Sequence, residues 1–542
     1  MAKNSTPVML VTANVGSIFE DPEVMLKIWT TEFLSQIARL EPKFIALHCQ
    51  EVGGKNYEQS MKHVDHFVDL LMTSEQLRLF DKVRVYLDED YSSAEKFTAL
   101  GSFYFVHNSL TDVLIWDFKE SDFVPLNGVE IHSGSIEDVA TKEKSKFPQD
   151  FFPECKWSRK GFLRTRWSIN GTIFDLINIH LFHDASNFVA MESAPSVYSK
   201  NRRRALRHLL ERFHSDELDC TPFFLFGDFN FRTETQEVVK KLSEGLIAVP
   251  TFKYNNEEEC TKVIYEDEDS QVVLSLGKKE FCHVDHQKIF VDKNGEWLRQ
   301  YDKEMEAFSS DLFEFDIAFP PSYPFEEDER GAKCYMQTRC PAWCDRVLMS
   351  HSARQLIQDH SESGKKLEYF LMGQNTCMGD HKPVYLKMWV LPEAGEVLCV
   401  RHPPSSMSSP PPCTGCAEGG QGALAVAASA ADRPLVRAHS GGVERPPHAL
   451  ANSKCRCLSE PAWQSSPSRH RLISSDAARR QLSRFSSHHS SSDEDWFELV
   501  DPAVEAEEVF LPAADQKAVD ACPQPQRLPK IPDERKCCCT LL

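Results

Sequence analysis

Long apolar runs are missing from this 542-residue chain, in which no stretch approaches the ~20 apolar residues of a membrane-spanning helix. No signal peptide is expected either, since Met1–Pro7 is polar and the apolar run Val8–Val11 is too short for an h-region. With secretion set aside, the 18 cysteines are expected as reduced thiols, several buried as small hydrophobes. Positive charge is scarce. The formal net charge of −20 argues against nucleic acid as a partner, because an extended polyphosphate backbone calls for a broad basic surface. A small polyanion needs only a local basic pocket and stays open. No internal repeat is present. Large apolar residues become sparse after Leu391, where Pro, Ser, Ala, Arg and Gly take over. Stretches such as His402–Pro412 and Ser465–Ser492 bury too little to offset their ordering entropy. The expectation is one folded domain over 1–393, a disordered tail over 394–536 and a cysteine-rich end over 537–542.

What is present is a set of short apolar runs that end in polar residues. Val8–Thr12 leads to Asn14, Phe44–Leu47 to Gln50 and Glu51, Ile173–Ile179 to His180, and Phe223–Phe226 to Gly227 and Asp228. Their length and their β-branched and aromatic content read as strands. Between the first two, Asp21–Leu40 carries Pro22 near its start and apolar residues at Met25, Leu26, Ile28, Trp29, Phe33 and Ile37, which is helical spacing. Strands mixed with helices, each strand ending in polar groups, imply a layered α/β domain with a site along one rim.

The strand ends carry the chemistry. Asp228 and Asn230 lie two apart and so share a strand face, a pairing suited to deprotonating and orienting a water; the same residues also make an ordinary Asx turn. In Gly379-Asp380-His381 a carboxylate adjoins an imidazole and can set its protonation. Glu51 is a hard oxygen ligand of the kind magnesium prefers. Asn14 and His180 hold comparable positions.

Taken in order, Asn14, Glu51, His180, Asp228, Asn230 and Asp380–His381 resemble the exonuclease–endonuclease–phosphatase superfamily, whose fold is a four-layered α/β/β/α sandwich. Within it, Pro341-Ala342-Trp343-Cys344-Asp345-Arg346-Val347-Leu348 looks like the signature of the inositol polyphosphate 5-phosphatases. Phe319-Pro320-Pro321-Ser322-Tyr323 looks like their substrate-binding loop. The resemblance covers about 8–390 and leans towards the type I branch, which acts on soluble inositol phosphates and ends in a prenylation signal.

By that resemblance Glu51 and Asn14 hold magnesium, Asp228 is the general base and Asn230 orients the water. His381 contacts the scissile phosphate with Asp380 fixing its protonation, and His180 stabilises the transferring phosphoryl group. Lys160, Tyr323, Arg339 and Arg346 are the substrate-binding candidates; Arg346 also reads as one half of an internal ion pair with Asp345. Cys340 and Arg346 have the spacing of a thiolate phosphatase loop. Pro341 without an N–H, bulky Trp343 and anionic Asp345 all argue against that route.

Where many relatives place a lysine after the loop tyrosine, this chain has Pro324, then Phe325, Glu326, Glu327 and Asp328. Three anions beside the pocket should disfavour an anionic membrane and favour soluble substrates, inositol 1,4,5-trisphosphate and 1,3,4,5-tetrakisphosphate. The end, Cys539-Thr540-Leu541-Leu542, fits a prenylation box, with Cys537 and Cys538 placed for palmitate. The expected location is the cytoplasmic face of the plasma membrane, with a cytosolic pool. An endonuclease, a sphingomyelinase-like phosphodiesterase and an inactive prenylated scaffold are the competing readings.

Overall fold

Seven strands frame the polar rim: β1 (Thr6–Asn14), β2 (Phe44–Gln50), β3 (Gly161–Ile169), β4 (Thr172–His180), β5 (Phe223–Asp228), β6 (Asp345–Ser350) and β7 (Val384–Val390). They belong to a computed structural model that describes residues 5–152, 158–214, 221–253, 256–358 and 366–395. The expected tail, with Cys537, Cys538 and Cys539, lies outside the described residues.

A seven-stranded sheet runs in the order Glu368–Leu371, β7, β1, β2, Gly101–Val106, Lys82–Leu87, Val129–His132. An eight-stranded sheet runs Leu312–Phe313, β6, β5, β4, β3, Val113–Asp117, Asp122–Pro125, with Glu143–Lys146 also paired to β3. The centre of each sheet is a parallel pair, β1 with β2 and β4 with β5. Parallel strands end on the same side, so Asn14 sits beside Gln50 and His180 beside Asp228.

Strand alternation sorts the side chains into layers. Val8 and Leu10 of β1 face the other sheet and join Leu163, Trp167, Phe174, Leu176, Phe224 and Phe226 in one core. Met9, Val11 and Ala13 point the opposite way, onto Leu26, Trp29, Phe33 and Ile37 of the helix Pro22–Leu40 and Phe67 of Val64–Met72. On the far side, Phe213 of the helix Val197–His214 packs on Phe162 and Phe223. The result is a four-layered α/β/β/α sandwich. Buried on both faces, the central strands read as unbroken apolar runs, which made them legible.

A polar seam crosses the sandwich just beneath the site. Asn178 donates to the carbonyls of Gly101 (3.0 Å) and Cys49 (3.1 Å) and accepts from Gln50 (2.8 Å). The His48 ring stacks on Phe226 at 3.7 Å, and its Nε2 lies 2.9 Å from the Tyr104 hydroxyl. Such bonds are directional where apolar packing is not, so they fix the register between the sheets. A third, four-stranded sheet over Ile247–His283 was not read from the sequence; its outer strand Ile247–Lys253 is exposed along its length and gives no half-buried alternation.

Candidate active site

Asp228 ends β5 and is fully buried. Its Oδ2 accepts from Asn14 Nδ2 (3.1 Å) and Asn230 Nδ2 (3.2 Å) and lies 3.3 Å from His180 Nε2. Its Oδ1 accepts from the Asn230 backbone N–H at 2.8 Å. Burial opposes the charge on Asp228, but the neighbouring His381 and Lys160 cations outweigh it and hold the carboxyl well below the ordinary range. Asn230 spends its amide on Leu181 O (3.0 Å) and Asp228, and its Oδ1 accepts from Arg232 (2.7 Å). It therefore orients Asp228. The chain can bring these groups so close because Gly227 has no side chain: a Cβ there would stand 1.9 Å from the Ile179 carbonyl.

Lys160, which precedes β3, reaches across to His180, with Nζ to Nε2 at 2.6 Å. An ammonium only donates, so that nitrogen accepts and the ring is neutral. Burial and the neighbouring Lys160 both lower the His180 pKa. Among the described residues His180 Nδ1 is buried without a hydrogen-bond partner. Glu51 follows β2, and its Oε1 lies 3.8 Å from Lys160 and 3.7 Å from His180; its Oε2 lies 3.8 Å from Arg159. Both Glu51 (φ 58°) and Asn230 (φ 51°) adopt the left-handed backbone region that non-glycine residues avoid. Strain of that kind persists where surrounding structure imposes it, which marks both turns as built for their side chains.

His381 enters from the loop before β7. Its Nδ1 is 2.8 Å from Asp345 Oδ2, and its Nε2 is 3.9 Å from Asp228 Oδ2. Burial disfavours the charged ring, but Asp345 and Asp228 outweigh it and raise the pKa to about 9. Asp345 also accepts from Ser322 Oγ at 2.7 Å. Asp380 raises the His381 pKa too, as expected of it, but by less than Asp345 and Asp228. The neighbouring carboxylate bonds Ser17 Oγ (2.6 Å) and lies 3.5 Å from Lys55, and Asp345 is the group that holds His381. Asp380 and His381 fall in a bend before β7 and their side chains go to different partners, so sequence adjacency did not identify the group that holds the ring. Asp345 starts β6 directly opposite Asp228 in the sheet register, another polar strand end of the kind used for the other candidates.

The Tyr323 ring centre lies 4.5 Å from that of His381, and the Arg232 guanidinium lies over the Tyr323 ring, 4.4 Å from its centre. Arg232 was missed; it stands two residues past Asn230, on the same alternation that linked Asp228 to Asn230. Arg346 is a correction. It is buried and bonds Glu314 twice (2.7 and 2.6 Å) and Asp302 (3.0 Å), so its fork is committed to an internal network whose acids are not Asp345. Arg339 is likewise buried and donates to the carbonyls of Lys278, Thr338, Asp184 and Ala185, bracing the loop that follows β4. Burial pushes the Cys340 thiol up to about 12 and the Cys344 thiol well above the ordinary thiol range, which fits neither as a nucleophile.

Two sets of side chains suit a metal ion. Asp228, Asp345 and His381 bring ligand atoms within 4.8 Å of one another, yet His381 carries a proton between carboxylates there, and a protonated imidazole is not a ligand. Glu51 and Asn14 offer two oxygens over Gly16, where a Cβ would stand 2.6 Å from Glu51 Oε2 and 3.3 Å from Asn14 Oδ1. Among the described residues the Glu51 carboxylate accepts no hydrogen bond. The open Glu51 carboxylate, beside an Asn14 Oδ1 that the Gly16 N–H fixes at 3.0 Å, fits a hard cation that keeps part of its water.

Residues 281–387 match the family model described as Endonuclease/Exonuclease/phosphatase family 2. The human protein inositol polyphosphate-5-phosphatase A is 50% identical over 397 residues, covering 73% of this chain and 96% of that one. A Caenorhabditis elegans protein, described as a probable type I inositol 1,4,5-trisphosphate 5-phosphatase, is 37% identical over 70% of this chain and 98% of its own. A solved 5-phosphatase domain of SPSynaptojanin, in complex with inositol (1,4)-bisphosphate and calcium ion, aligns at TM-score 0.36 and 14% identity, over 72% of this chain and 84% of that one. That likeness adds nothing to the sequence relatives. On those relatives, which it matches almost end to end, this chain is an enzyme of the inositol polyphosphate 5-phosphatase family.

Proposed function

We propose that the protein hydrolyses the 5-phosphate of soluble inositol polyphosphates, inositol 1,4,5-trisphosphate and 1,3,4,5-tetrakisphosphate, by direct attack of water with magnesium bound, and so ends a calcium-mobilising signal. The observation that carries this reading is the buried Asp228 carboxylate set among protonated His381, Lys160 and the neutral His180 ring. A phosphate monoester spreads negative charge over its oxygens as the bond to the ring breaks, and cations already in place stabilise that charge without reorganising. His381 and Lys160 are those cations. Asp228, aimed by Asn14 and Asn230, orients the water and takes its proton. In the free site Asp228 is a poor base. A bound phosphate offsets the charges of His381 and Lys160 and so raises its basicity. Overall, the water oxygen joins phosphorus, the bond to the ring oxygen breaks, and that oxygen ends with the water's proton.

Glu51 and Asn14 would hold the magnesium. Bound there, it supplies Lewis-acid neutralisation of phosphoryl oxygens. Tyr323 is the candidate contact for the 4-phosphate. For substrate class, the exposed Asp328 and half-buried Glu326 beside this loop oppose docking on an anionic bilayer, where each added basic residue contributes about 1 kcal/mol. Glu327 does not add to them, because it is paired with Lys55 at 2.6 Å. The Cys539 box, with Cys537 and Cys538, would place the enzyme at the cytoplasmic membrane face. Unchanged membrane association of C539S would contradict that location.

Phosphate release from positional isomers, with and without magnesium, tests the central reading. Release is expected only from rings that carry a 5-phosphate, and only with the metal. Release from an isomer without one would overturn it.

A further inference from the structure

Several of the loops that build the site converge on one buried cation outside it. Lys55 lies four residues beyond Glu51, and its side chain is 5% exposed. Its Nζ is 2.6 Å from Glu327 Oε1 and 3.5 Å from Asp380 Oδ2. Ser17, three residues beyond Asn14, meets the same two acids, with Oγ 2.5 Å from Glu327 Oε1 and 2.6 Å from Asp380 Oδ1. One hydroxyl has one proton to give, so Ser17 satisfies one of these acids at a time. The positive charge of Lys55 is what lets two carboxylates share so small a space.

Each member of the cluster belongs to a different functional segment. Ser17 is joined to Asn14 and Lys55 to Glu51, while Asp380 adjoins His381. Glu327 lies four residues past Tyr323. The segments are also tied through their backbones, since Phe325 N–H donates to Asp380 O at 2.8 Å and Asp380 N–H to Ser17 Oγ at 3.2 Å. At Gly379, where φ is +104°, a Cβ would stand 2.9 Å from Ser17 Cβ. That contact admits only glycine.

We propose that Lys55 and Glu327 form a latch that positions the Tyr323 loop and the His381 loop over the catalytic pocket. The acidic run after Pro324 then has a use for one of its members: Glu327 is the peg by which the loop is held, with Lys55 as its socket. Neither residue touches the reacting atoms. Lys55 acts through Asp380 on the loop bearing His381 and through Glu327 on the loop bearing Tyr323. The latch gives Glu327 an effect on substrate binding that an unpaired surface acid would not have, and in this it rests on reading Tyr323 as a contact for the 4-phosphate.

The test uses the full chain with E327A, K55M and K55R. Two measurements are made: amide hydrogen exchange over residues 320–333, and KM and kcat for inositol 1,4,5-trisphosphate and for a 5-phosphate substrate without the 4-phosphate. E327A should quicken exchange in that segment and raise KM for the trisphosphate about tenfold, with a smaller change in kcat, as a displaced contact does. For the substrate without the 4-phosphate, KM should move far less. K55M should lower kcat as well, because it also frees the Asp380–His381 loop, and K55R should recover most of the loss. Exchange and KM of E327A at wild-type values would overturn the latch, as would equal KM rises on both substrates or no recovery in K55R. Wild-type protein that releases phosphate from neither substrate would instead defeat the functional reading, while the exchange comparison still decides whether the latch exists.

Discussion

The two sheets bring unlike halves to the site. On the eight-stranded side, Asp228 is surrounded by donors and Asp345 holds His381 at 2.8 Å. On the seven-stranded side, Glu51 has its nearest basic nitrogens 3.7 to 3.8 Å away and no hydrogen bond among the described residues. Saturated carboxylates fix protons and geometry, whereas an open one beside a glycine floor leaves room for a cation. On the proposed reading, proton handling belongs to β4, β5 and β6 and metal binding to the ends of β1 and β2.

Substitutions on each side can break that division. The largest effect on turnover is expected from D228N, which removes the proposed proton acceptor and should lower kcat by about 10³-fold or more. A fall below tenfold would remove Asp228 from the chemistry. E51Q should come next, at about a hundredfold for fixed magnesium, with excess magnesium restoring part of the rate. No response to the ion would place the metal elsewhere.

D345N should lower kcat about tenfold and should also change the pH profile. The pKa of His381 is raised from 6.5 to about 9, so the ring is charged below that value and activity should decline as pH rises through about 9. The same shift makes a stabilising contribution that is fully present below pH 6.5 and lost as pH rises through about 9. D345N removes the carboxylate that sustains the charge, so both declines should move to lower pH. An unmoved limb would show that another group governs it. The smallest effect on turnover is expected from R346M. It should leave KM near wild type while lowering stability by about 3–5 kcal/mol, because it strips Glu314 of its cation in the interior, while Asp302 keeps Arg299 at 3.1 Å. Urea unfolding separates this from a KM rise at full stability, which would return Arg346 to the substrate.

Much of the framework was legible because the central strands are buried on both faces. The runs into Asn14, Glu51, His180 and Asp228 lie where they were read, and the helix expected over Asp21–Leu40 spans Pro22–Leu40 with Asp21 at its N-cap. What stayed hidden depends on register. Asp345 reaches His381 only because β6 pairs with β5, and Lys55 reaches Glu327 only because two distant loops fold together. Arg339 and Arg346 looked like phosphate ligands because a sequence gives a cation's sign and not its neighbours. Glu327 misled for the same reason from the other side, since an acid in a charged run looks solvated until its lysine is seen.

The most direct test of the division between the halves is calorimetric titration of magnesium into wild type, E51Q and D345N in the presence of a substrate analogue that is not cleaved. The account predicts that D345N binds the ion much as wild type does and that E51Q binds it far more weakly. Normal binding by E51Q with loss in D345N would put the metal among Asp228, Asp345 and His381 and would contradict it.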